Sequence, residues 1–155
     1  KDKLYVRLAG TAGGVTQAIE NLAIENLAIE GPCGDVLEDA QRWHDLREHT
    51  LQYFDTELPL WRLSVPPATP PLTLAGETLI DWGGALRWLK SETPGEEVRA
   101  AVVKVGGHAT LFRNGDRRGE VYHPLTRSLL GLHQRLKASF DPKGILNRGR
   151  MYAEL

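Results

Sequence analysis

"TPGEEVRAAVVKVGGHATLFR" (Thr93–Arg113) changes period part-way along. Val98, Ala101, Val102 and Val105 fall at i, i+3, i+4 and i+7, the apolar stripe of an amphipathic helix. After Gly106-Gly107 the period drops to two. Ala109 and Leu111 then point one way, and His108, Thr110 and Phe112 the other. A helix stopped by glycine and followed by a half-buried strand is one half of a layered α+β unit. Thr93-Pro94-Gly95-Glu96 has the spacing of a capping box, with Pro at the first helical position.

Upstream, Trp61, Leu63 and Val65 alternate with Arg62 and Ser64, which predicts a second strand. "PPATPP" (Pro66–Pro71) is a stiff loop, because proline cannot donate to a ladder. Thr78–Lys90 reads as extended, with a bulge or bend at Gly83-Gly84. Downstream, Asn114–Gly119 is a polar loop. Pro124 opens a last helix striped by Leu125, Leu129, Leu132, Leu136 and Phe140, and Asp141-Pro142 stops it.

The N-terminal part is read in the same way. Leu4–Ala9 alternates as a strand, and Gly10–Gly14 is a turn. Val15, Ala18, Ile19 and Leu22 then stripe a helix. "IENLAIENLAIE" (Ile19–Glu30) repeats five residues. A five-residue step turns a helix by about 140°, so the repeated isoleucines cannot share one face. This is a local duplication, and no role is assigned to it. Gly31–Asp35 is a turn, and Asp39 can cap a short helix carrying Ala40, Trp43 and Leu46. The sum is an α+β fold: an antiparallel sheet with helices mainly on one face. The ferredoxin-like, split βαβ plan is its nearest simple match.

The bulk numbers exclude several classes. The 155 residues carry a formal net charge of −1, with 41% hydrophobic and 25% charged residues. That suits one ordinary globular domain and gives no electrostatic footprint for nucleic acid. One cysteine, Cys33, allows no internal disulfide. No apolar run approaches the roughly 20 residues of a membrane span, and no signal peptide is visible. The chain opens on Lys1-Asp2-Lys3, which reads as a piece of something longer.

With the apolar strand faces under helices, the opposite faces carry Tyr5, Arg7, Arg62, Ser64, His108 and Thr110. Such a surface is either the wet side of an antiparallel sheet or a carboxylate-binding face. Arg fits a carboxylate bidentately, and His can donate a hydrogen bond or shuttle a proton. Composition does not separate the two readings. Arg62 is the candidate carboxylate clamp, His108 the candidate proton-handling group, and Ser64 and Thr110 the candidate substrate-orienting hydroxyls.

Other sites are poorer. The five histidines show no metal-ligand spacing, and no metal site is expected. Cys33 has no evident His partner. "GGVTQ" (Gly13–Gln17) lacks the spacing of the common nucleotide loops. Trp61, Trp82 and Trp88 read as core or interface residues. An RNA-binding domain needs exposed aromatics and a basic surface, which are missing. A stand-alone metabolite-binding or regulatory module with no catalysis remains the alternative to an enzyme.

Four stretches together carry a family resemblance: "LWRLSVPP" (60–67), "LIDWGGALRWLK" (79–90), "GGHATLFR" (106–113) and "FDPKGILNRGRMYAEL" (140–155). They resemble the C-terminal region of the FAD-binding subunit of bacterial glycolate oxidase (glycolate dehydrogenase). That subunit lies within the vanillyl-alcohol-oxidase-like FAD-linked oxidases. Residues 1 to 59 match more loosely. The resemblance implies a cap domain over residues 1–140 and a tail, residues 141–155, that docks on a FAD domain outside this chain. It implies FAD as cofactor and oxidation of glycolate, or a similar 2-hydroxy acid, to glyoxylate. It implies as partners a second flavoprotein subunit and an iron–sulfur subunit. The expected location is cytoplasmic, with peripheral attachment at the inner membrane through the complex. In the tail, Asn147 and Arg150 are the cofactor-binding candidates. Arg148 stands where the family usually has Pro, which leaves the tail geometry open.

Overall fold

The computed structural model describes residues 4–25 and 40–155. It divides into two compact units, 1–43 and 44–155. In the first unit, α1 runs Ala12–Glu25 and starts inside the glycine-rich stretch read as a turn. The Gly14 N–H is capped by the Thr11 hydroxyl at 3.3 Å, which lets the helix begin early. Residues 4–9 form no strand, and Leu4 and Val6 stay exposed. Alternation makes a strand only where a neighbour completes the ladder, and among the described residues none does. Tyr5 and Arg7 therefore leave the set of sheet-face candidates, and Arg42 stacks over the Tyr5 ring at 4.3 Å. Cys33, Asp39 and the end of the repeat lie outside the described residues.

α2 (Ala40–Glu48) leads into the second unit, which holds a four-stranded antiparallel sheet. Its strands are β1 (Leu60–Ser64), β2 (Glu77–Asp81), β3 (Leu86–Lys90) and β4 (His108–Arg113), in the order β2-β3-β1-β4. α3 (Gly95–Val103) crosses from β3 to β4, and β1 lies between those two strands. That is the split βαβ order. The first crossover, from β1 to β2, has no helix. It is the proline-rich loop, because proline denies a helix its internal donors. Thr78–Lys90 is a full hairpin rather than one bent strand, with its turn at Trp82–Gly84.

One sheet face carries Trp61, Leu63, Leu89, Ala109 and Leu111. Val98 and Val102 of α3 pack against it with no exposed area. Burying each such side chain contributes about 1.5–3 kcal/mol, so this layer anchors the fold. α3 begins one residue later than a capping box would place it. The Thr93 hydroxyl lies 2.7 Å from that of Ser91 instead of bonding helix N–H groups. Pro94 becomes the cap residue, and its carbonyl accepts from Val98 N–H.

α4 (Arg127–Phe140) starts at a Thr126 cap and not at Pro124, because the Thr126 hydroxyl accepts from Leu129 N–H. Its apolar stripe is not core. Leu129, Leu132 and Leu136 are about half exposed, and Phe140 is 81% exposed. The periodicity correctly gives an amphipathic helix, but α3 already occupies the apolar sheet face.

Candidate functional site

The opposite sheet face is only partly wet. Leu60, Leu86 and Trp88 pack there with Phe54, and with Leu46, Leu51, Tyr53, Leu79 and Phe112 around them. The His49 ring sits 4.8 Å from Trp88, 4.9 Å from Phe54 and 5.1 Å from Phe112. Burial holds the His49 pKa below its ordinary value, and the nearby Arg113 and Arg62 charges push the same way. The Tyr53 hydroxyl lies 2.8 Å from the carbonyls of Glu77 and Trp88, and burial raises its pKa. This aromatic cover was missed in the sequence because Tyr53-Phe54 lie in a one-turn 3₁₀ segment with no periodicity.

Beside this cluster, on β1 and β4, the polar candidates come together. Arg62 pairs across the strands with Thr110, and Ser64 pairs with His108. Opposite residues of an antiparallel pair have Cβ atoms about 4.5–5.5 Å apart, so these four side chains share one patch. On the β3 side, Arg62 faces the buried Trp88 and Ser64 faces the buried Leu86. The patch therefore has an apolar wall and an open rim. Arg62, Ser64 and Thr110 are half-buried, and His108 is exposed. Arg62 has no carboxylate partner among the described residues. Its guanidinium instead stands over the Trp82 ring at 5.4 Å. Trp82 is thus no core residue: it sits in the hairpin turn, 67% exposed.

A further histidine borders the patch. His123 Nδ1 accepts the Ala109 N–H at 3.3 Å, and its ring is 6.3 Å from that of His108. With Nδ1 accepting, neutral His123 carries its proton on Nε2. Burial lowers the His123 pKa, and His108 and Arg99 lower it further against the opposing pull of Glu120. Leu111 N–H bonds the Val121 carbonyl at 2.9 Å, so residues 121–123 cover the outer edge of β4. A side chain standing in for a strand carbonyl leaves no periodic trace, which is why His123 carried no sequence signal.

In the tail, Asp141 is buried and accepts from Lys137 Nζ (2.5 Å), Leu146 N–H (2.8 Å) and Ile145 N–H (3.0 Å). These bonds, Lys137 first, hold its pKa down at about 2. Asn147 and Arg150 are exposed, and Asn147 takes a left-handed backbone with φ 47°. The structure does not bring them to the sheet patch as one site. A cavity of about 320 Å³ beside α4 is lined by Lys137, Asp141, Arg148 and Glu154 among others, but not by Asn147 or Arg150.

Fold and face together define a class: a split βαβ α+β sheet domain whose polar patch presents an arginine with no carboxylate partner among the described residues. No family model and no solved structure matches the chain. Glycolate oxidase subunit GlcE of Escherichia coli (strain K12) is 43% identical to it over 152 residues, 98% of this chain. The chain spans 39% of that subunit's length and is homologous to that portion of it.

Proposed function

We propose that this chain is the cap and tail of a FAD-binding subunit in a glycolate oxidase complex. The complex would oxidise glycolate or a similar 2-hydroxy acid to glyoxylate. The observation that carries the reading is Arg62, a half-buried arginine with no carboxylate partner among the described residues, on one patch with Ser64, Thr110 and His108. The identity with GlcE across nearly the whole chain supports the assignment to that subunit. It also favours this reading over a stand-alone metabolite-binding module.

The rest of the subunit would hold the FAD, which accepts the electrons of such an oxidation. The roles of this chain are positional. Arg62 clamps the substrate carboxylate, Ser64 and Thr110 orient it, and His108 handles the hydroxyl proton. Residues 1–140 form the cap, and 141–155 dock on the FAD-binding part, with Asn147 and Arg150 toward the cofactor. The exposure of Ile145, Leu146 and Met151 supports that docking. The proposed partners are a second flavoprotein subunit and an iron–sulfur subunit. No helix among the described residues is long and apolar enough to cross a membrane. The proposed location is cytoplasmic, peripheral to the inner membrane through the complex.

Arg62→Ala in the assembled complex tests the reading. The expected result is a KM for glycolate raised on the order of tenfold to a hundredfold, the scale of a charge-assisted hydrogen bond. Unchanged kinetics would remove Arg62 from the site.

A further inference from the structure

The hairpin turn after β2 has a backbone that its sequence does not favour. Trp82 takes φ 50°, followed by Gly83 at 59° and Gly84 at 99°. Left-handed backbone is ordinary for glycine and strained for a bulky residue such as Trp. Four contacts enforce it. Asp81 Oδ1 accepts the Trp82 N–H at 2.7 Å, and the Trp82 carbonyl accepts from Ala85 N–H at 3.2 Å. The Ala85 carbonyl accepts from Val65 N–H at 3.0 Å. Gly84 lies so close to Pro67 that an added Cβ would sit 2.4 Å from the Pro67 carbonyl oxygen.

The strain is not offset by burying the ring, which is 67% exposed. Its described partner is the Arg62 guanidinium, 5.4 Å from the ring centroid. That is within the range of a cation–π contact. An arginine side chain has several rotamers of similar energy, so a lone half-buried arginine needs something to hold its fork. The strained turn fixes the ring, and the ring offers Arg62 a face to lie on.

We propose that Trp82 is a positioning residue. It holds the Arg62 guanidinium over the sheet patch in the orientation that receives the carboxylate of a small 2-hydroxy acid. This rests on the reading of Arg62 as the carboxylate clamp. Trp82 does not itself need to touch the reacting atoms.

The test uses the full complex, with glycolate as substrate. Trp82→Gly removes the ring and suits the left-handed backbone, so this variant should fold at least as stably as the parent. Its KM should rise about threefold to fivefold with kcat little changed, the scale of an exposed cation–π contact. Trp82→Phe keeps an aromatic face and should recover most of the loss. Trp82→Gly added to Arg62→Ala should raise KM no further, because a residue acting through Arg62 has nothing left to position. A full additional loss in the double variant, or an unchanged KM in Trp82→Gly, would overturn the inference while leaving Arg62 as the clamp. An unchanged KM in Arg62→Ala alone would remove both. A fall in melting temperature for Trp82→Gly with KM unchanged would make Trp82 merely structural.

Discussion

The Tyr152 hydroxyl donates to the His123 carbonyl at 3.0 Å, joining segments 29 residues apart. The same His123 accepts the Ala109 N–H through its ring, one residue from His108. The tail is therefore tied by one side chain to the edge of the sheet that carries the proposed proton-handling group. Tyr152→Phe removes the bond and keeps the ring. The expected cost is about 1 kcal/mol of stability. Hydrogen exchange should quicken at residues 121–123 and in the tail, but not in β1 or β3. Exchange unchanged at 121–123 would show that the bond carries no tension between the two segments.

His123 also makes this edge sensitive to acid. Its folded pKa lies below the ordinary 6.5, so the fold prefers the neutral ring. A depressed histidine contributes stability above the unfolded pKa and loses it as pH falls, because the unfolded chain takes up the proton more readily. Protonation at Nδ1 would also set a donor against the Ala109 donor. Denaturant unfolding should show stability decreasing as pH drops below about 6.5, the unperturbed histidine range. His123→Gln can accept the same N–H without titrating, and should flatten the slope. Part of the slope should persist, since His49 is depressed in the same direction. An equally steep slope in the variant would move the effect away from His123.

These contacts mark what the sequence did and did not disclose. The alternation in β1 and β4 and the stripe of α3 were legible because each is set by burial against one layer. Which residues faced away was legible with it, but the register that pairs Arg62 with Thr110 and Ser64 with His108 was not, because the period of one strand does not say where its partner lies along it. Leu4–Ala9 had the same alternation and formed no strand, because periodicity says nothing about whether a neighbour exists. The α4 stripe was equally regular, yet Phe140 lies open. Pattern reports amphipathicity and not what covers it. Trp82 was read as a core or interface residue because its segment looked extended; the turn that the two following glycines make lifts it out of the core. His123 and Arg87 act on backbone atoms distant in sequence, and such bonds have no period.

Arg87 is the clearest of these. It is 3% exposed on the apolar sheet face. It donates to the carbonyls of Pro70 (2.8 Å), Thr69 and Gly84 (3.4 Å). It thus fastens the proline-rich crossover to the hairpin turn that carries Trp82. Arg87→Met should cost about 1.5–3 kcal/mol, because part-buried carbonyls lose a charged donor. Urea unfolding measures this. A loss under about 0.5 kcal/mol, the range of ordinary surface substitutions, would mean that water replaces the guanidinium without penalty.

The tail supplies the most direct check on the proposed subunit architecture. Its links to the described domain are the Asp141 turn and the Lys137 bond to the Leu146 carbonyl near its start, and the Tyr152 hydroxyl bond and ring contacts with Tyr122 and His133 near its end. Between them, Ile145 is 68%, Leu146 60% and Met151 52% exposed. Apolar side chains gathered in so short a segment suit a buried interface better than free solvent. Deleting residues 145–155 from the full-length subunit should leave the sheet domain folded, because α3 and the strands do not depend on the tail for their core. It should nevertheless lower the flavin retained after gel filtration. Asn147→Ala and Arg150→Ala separate the two contributions. If the tail only docks, the point variants should keep the flavin that the deletion loses. If either side chain contacts the cofactor, its variant should lose flavin with the apolar residues intact. Full flavin retention by the deletion variant would refute docking on the FAD-binding part and leave the tail's apolar residues to another surface.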